Sequence, residues 1–205
     1  MQTLGVANQT PQSDSRIKNI FWPTIRTGTD VDTLGSQGYW ICVIIAALSL
    51  VLSLFTGQWL AAIVGVMVYY VGGVGIRQHS IFAAAMVFTT FLLNLIASSL
   101  AGILGLEFVV QVLVCVVLLA TLRGTWIASF WEKREGVAEM PPRFNETWGD
   151  KFVDKFPIWF WPKIRIAYYI YSALFLAFLT LGLAVVVAQR SGLLPRTIAP
   201  IHVRQ

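Results

Sequence analysis

IFAAAMVFTTFLLNLIASSLAGILGLEFVVQVLVCVVLLATL, Ile81 to Leu122, is apolar almost without interruption. As a helix rising about 1.5 Å per residue, it is roughly twice as long as one crossing of a bilayer's hydrocarbon core requires. Gly102, Gly105 and Glu107 interrupt it near the middle. The stretch therefore reads as two membrane spans folded back at Gly102–Glu107, one over Ile81–Ala101 and one over Phe108–Leu122. The second continues as helix to Phe130 and emerges from the membrane near Arg123.

Working outward, the same pattern recurs. Tyr39–Phe55 and Trp59–Ile76 are apolar runs separated by the turn TGQ, and RQHS closes the second. Ile166–Ala188 is a fifth run, ending at QRSG. The chain has 205 residues, 57% hydrophobic and only 12% charged, where soluble domains carry about a quarter. Its mean hydropathy is +0.70. The expected fold is all-α: a polytopic integral membrane bundle of about five transmembrane helices plus a cytoplasmic interfacial amphipathic helix. The expected divisions are a disordered polar tail over residues 1–15, an interfacial segment and linker over 16–38, and a four-helix transmembrane region over 39–130. A cytoplasmic loop with the amphipathic helix follows over 131–162, then the fifth transmembrane helix over 163–189 and a C-terminal tail over 190–205.

Charge orients this arrangement. Arg16, Lys18, Arg26, Arg77, Arg123, Lys133, Arg134, Arg143, Lys151, Lys155, Lys163 and Arg165 all fall on one side of a five-span chain. Only Arg190, Arg196 and Arg204 fall on the other. Basic residues collect on the cytoplasmic side, so the N-terminus and long loop are expected inside and the C-terminus outside, in the cell (inner or plasma) membrane. The rival is a four-span chain with one run re-entrant, which returns the C-terminal tail to the cytoplasm. The sequons at Asn8 and Asn145 both fall on the cytoplasmic side and are expected to stay unmodified. Basic residues do not cluster with aromatics on a soluble domain, so nucleic acid is not an expected partner.

In the long loop, Phe144, Trp148, Phe152 and Phe156 recur at every fourth residue. That spacing aligns four rings on one helical stripe, either lying in the membrane interface or packed on the bundle's cytoplasmic end. FWPKIR, Phe160–Arg165, nearly repeats FWPTIR, Phe21–Arg26. Trp159, Phe160 and Trp161 suit the aromatic belt of a membrane interface, and Lys163 and Arg165 can reach headgroups. Pro162 suits the first position of the fifth span, where its missing N–H costs nothing. Phe21, Trp22 and Arg26 carry the same chemistry without a span directly after them. Both copies read as anchors on the cytoplasmic face.

Candidates for chemistry are few. Glu107 falls on the expected turn. Asn94 and Gln111 lie within apolar helices, where polar side chains usually join helices together. Arg123 and Arg143 are the candidates for lipid headgroups. Gly65, Gly72, Gly73 and Gly75 give the second span a small-residue surface for close helix packing. Cys42 and Cys115 lie in apolar runs and behave as small hydrophobes. Neither they nor His79 and His202 have metal-ligand spacing, so no cofactor is expected. Paired acids and a nucleophile with its base are also missing from the pattern.

The expected function is therefore non-enzymatic: a scaffold or accessory subunit of a membrane complex. A channel or carrier for a small solute and a lipid-headgroup-binding or lipid-modifying protein are the alternatives. The expected partners are the lipid bilayer and another membrane protein or a second copy.

Overall fold

The computed structural model of the chain describes residues 28–102, 105–135 and 148–191, together with residue 25. Among these residues the regular elements are all helices. In chain order they are α1 (Gly28–Phe55), α2 (Trp59–Arg77), α3 (Ile81–Leu100), α4 (Leu106–Glu135) and α5 (Trp148–Arg190). Each contains a stretch long and apolar enough to cross a membrane. The fold back between α3 and α4 lies where the glycines place it, with Gly102 at φ 80° and Glu107 exposed in the first turn of α4.

Two boundaries depart from expectation. The linker expected up to residue 38 is helical from Gly28, so α1 begins well before Tyr39. Its Gly, Thr and Asp content argues for a break, but packing overrides that preference. Val31, Leu34 and Tyr39 are buried, and Gly35 and Gly38 are buried between them. A Cβ on Gly38 would lie 2.4 Å from Thr121 Cγ2, so only glycine lets α1 and α4 approach this closely. Asp30 in the first turn complements the helix dipole.

The second departure is α5. Pro162 was expected to begin a fifth span, yet it lies well inside a helix that runs unbroken from Trp148 through Pro157 and Pro162. Each proline removes a helical N–H at a cost of about 3 kcal/mol. Tertiary contacts offset this, since Pro157 is fully buried and Trp161, one turn on, packs into the bundle. Trp148, Phe152 and Phe156 thus occupy the first turns of α5 itself. Phe144, Phe21, Trp22, Arg26 and the tail over residues 1–15 lie outside the described residues.

The close approaches define the packing. Ser49 meets Gly65, Cys42 meets Gly73, and Asp32 meets Arg77, so α1 and α2 run antiparallel. Gly72 faces Val87 on α3 and Tyr168 on α5, and Gly75 faces Ala83 and Trp161 on the same two helices. The helix α2 is therefore central, with 56% of its apolar window buried against 6% for α5. The glycines expected to promote close packing do so.

Burial is concentrated at one end. It covers the beginnings of α1, α3 and α5 and the later parts of α2 and α4. That end carries Asp32, Arg77, Arg123, Lys163 and Arg165. At the opposite end Phe55, Leu60, Leu106 and Phe178 are largely exposed.

The turn joining α2 to α3 is short. Ser80 N–H donates to Gly75 O at 3.0 Å and His79 N–H to Ile76 O at 3.0 Å, the paired bonds of a Schellman helix ending. His79 takes the left-handed position at φ 52°, and Ser80 directly caps α3 by accepting from Ala83 N–H.

Gly75→Ala is expected to lower stability by about 1–3 kcal/mol, because the new methyl would meet Trp161 and Ala83 at under 3 Å. Gly182→Ala, with no atom within 4 Å of its Cβ, is expected to be neutral or to stabilise by up to about 1 kcal/mol. Thermal unfolding of both variants in mild detergent checks the contrast.

Candidate functional site

The residues with the most distinctive chemistry gather at the packed end. Arg77, in the last turn of α2, is 8% exposed and forms an ion pair with the Asp32 carboxylate on α1. The same Nη1 donates to the Asp32 backbone carbonyl at 3.2 Å. This contact exists only because α1 starts early enough to carry Asp32 past the end of α2. Gly35 lies beside the pair, and a Cβ there would be in ordinary contact with Arg77 Nη1 and His79 Cε1 at 3.7 Å. Removing two charges from water is expensive, so such a pair holds its geometry more than it adds net stability.

Rings from α5 pack against the same end of α2, where Trp161 meets Gly75. Trp161 packs on Tyr168 and Tyr169 with centroids 5.6 and 5.9 Å away. The Tyr169 hydroxyl lies 3.0 Å from Ser80 Oγ. Tyr168 donates to the Val68 carbonyl at 3.4 Å. Val68 belongs to a π-helical turn, Val66–Tyr70, inside α2, and such turns displace carbonyls from the regular helical ladder. Gly72 makes the approach feasible, because a Cβ there would lie 2.6 Å from the Tyr168 oxygen. Among the described residues no three His, Cys, Asp or Glu side chains converge. This end therefore holds a buried ion pair between α1 and α2 and, separately, hydroxyl and ring contacts that tie α5 to α2 and the turn after it, chemistry suited to locking helices together.

The residues singled out from sequence are dispersed. Trp159 is exposed with Lys163 Nζ 3.9 Å above its ring, and Arg165 is exposed. Phe160 is half-buried. Trp161 was expected in the interface with them, but it is 7% exposed and belongs to the core. The reason is helical phase. With helix already established before Pro162, residues 157, 161, 168 and 172 share the inward face. Arg123 is half-buried on α4, and Arg143 lies outside the described residues. Asn94 is exposed on α3 and borders a groove shared with α5, while Gln111 on α4 buries its Oε1 without a hydrogen-bond partner among the described residues.

Sequence reading missed Asp32, Ser80 and the two tyrosines. The pair lies 45 residues apart in sequence, beyond any local spacing rule. The available signal was charge placement: Arg77 ends one span, Asp30 and Asp32 precede another, and both fall on the same predicted side.

Asp32→Asn leaves Arg77 charged and buried, and is expected to cost about 3–5 kcal/mol. The double variant Asp32→Leu, Arg77→Met is expected to recover most of that loss. Unfolding midpoints in detergent check both, and a single variant as stable as the parent would remove the pair from its structural role. No protein-family model, curated protein or solved structure matches the chain, so the site is read from its own chemistry.

Proposed function

We propose that the chain is a non-enzymatic scaffold or accessory subunit of a membrane complex, working through helix packing. In lipid, helices associate through van der Waals contact, small residues and interhelical hydrogen bonds. All three occur at the packed end and little remains for the other. The observation that carries the proposal is the outer part of α5. There Leu174, Phe178, Leu181 and Val185 form an apolar stripe at helical spacing, each 42–72% exposed. A neighbouring helix of another membrane protein would complete the packing that this chain leaves open.

The hydroxyls favour a packing role over a conducting one. Thr121, Thr125 and Ser172 are buried, yet each donates to a carbonyl of its own helix. A solute path requires such groups to face a channel.

Orientation forms part of the proposal: the end bearing Arg77, Arg123, Lys163 and Arg165 is cytoplasmic, in keeping with the positive-inside rule. A cysteine introduced at Ser191 is expected to react with an impermeant maleimide on intact cells, because the C-terminal end lies outside. Labelling only after permeabilisation would reverse that assignment. For the scaffold role, a photo-crosslinking phenylalanine analogue is placed at Phe178, and at Ile44 on α1 for comparison. Position 178 is expected to yield a discrete protein adduct of fixed mass, and position 44 none. Adducts with lipid alone at both positions would overturn the proposal.

A further inference from the structure

The outer parts of α3 and α5 do not close on each other. Between them lies a groove of about 470 Å3, walled by Leu93 and Ala97 on α3 and by Leu179, Gly182 and Val186 on α5, with Arg190 at its outer end. From Leu179 to Arg190 a helix rises about 16 Å, close to half of a bilayer's roughly 30 Å hydrocarbon core. In a membrane the groove would therefore run from near the midplane to the headgroup level of one leaflet.

Its length, lining and mouth decide what fits. An unbranched hydrocarbon chain matches a groove that runs from near the midplane to one headgroup level. Apart from the Asn94 amide, the walls between the ends are aliphatic or small. A Cβ added at Gly182 would meet nothing within 4 Å, so space is open where a chain would lie. At the mouth, Arg190 is exposed in the last turn of α5. A guanidinium binds phosphate through parallel N–H donors.

We infer that this groove is a glycerophospholipid site, taking one acyl chain between α3 and α5 and the phosphate on Arg190, from the leaflet at the Arg190 end. The site differs from the stripe proposed for a protein partner, because Phe178 and Leu181 do not line it.

The test uses the full chain, reconstituted with a phosphatidylglycerol that carries a photoactivatable diazirine in its acyl tail. The matching diacylglycerol, which lacks phosphate, is the comparison. Phosphatidylglycerol is expected to label peptides spanning residues 93–101 and 179–190, with diacylglycerol labelling them several-fold less. Gly182→Leu fills the groove and is expected to abolish that labelling. Arg190→Gln is expected to reduce it about fivefold, the effect of losing one cation beside an anionic headgroup. Circular dichroism melting of each variant confirms that the fold persists. Equal labelling by both lipids would overturn the phosphate contact. Labelling unchanged in Gly182→Leu would overturn the groove as the acyl site. Loss of a dimer in Gly182→Leu with labelling unchanged would assign the groove to a second copy instead.

Discussion

The close approach of α2 to three other helices is the constraint on which the packing depends. A side chain at Gly72, Gly73 or Gly75 would collide with Val87, Cys42 or Trp161 respectively. Glycine in a helix interior costs roughly 1 kcal/mol relative to alanine. The close contact with three helices that it permits outweighs that cost. Small residues at one helix end thus position α1, α3 and α5 at once. The ion pair between Arg77 and Asp32, the Tyr168 bond to Val68 and the Tyr169 contact with Ser80 all occur within that end.

This concentration has a consequence at the opposite end. There α3 and α5 leave a groove between them. Gly102 and Gly182 face open space, in contrast to Gly72 and Gly75. The groove beside Arg190 and the exposed stripe through Phe178 both lie toward that end. The packed end carries rigid, satisfied polar groups, and the open end carries apolar surfaces suited to lipid or to another helix. Stability and proposed function are therefore separated along the length of the bundle.

Much of the architecture was legible in composition and punctuation. Apolar runs near the length of a bilayer, divided by Gly57, Gly102 and the Arg77–Ser80 turn, locate five helices, though not where α1 and α5 begin. The reading failed where local preference and tertiary contact disagreed. Gly35, Gly38 and the threonines before Tyr39 look like a linker, because each weakens an isolated helix. Pro162 looks like a start, because proline breaks isolated helices. In both places burial against another helix supplies what local propensity lacks. Trp161 was misplaced for the same reason, since its facing follows from where the helix begins.

By itself, the sequence determined that this chain is helical, that five segments can cross a membrane, and that its positive charge is gathered at one end. These follow from hydropathy, length and spacing, which act locally and need no partner. Only the tertiary structure decided that α2 is central, that Asp32 meets Arg77, that Trp161 turns inward, and that a groove opens between α3 and α5. Each of these depends on which residues far apart in the chain come within contact distance. That is decided by steric fit among all five helices together.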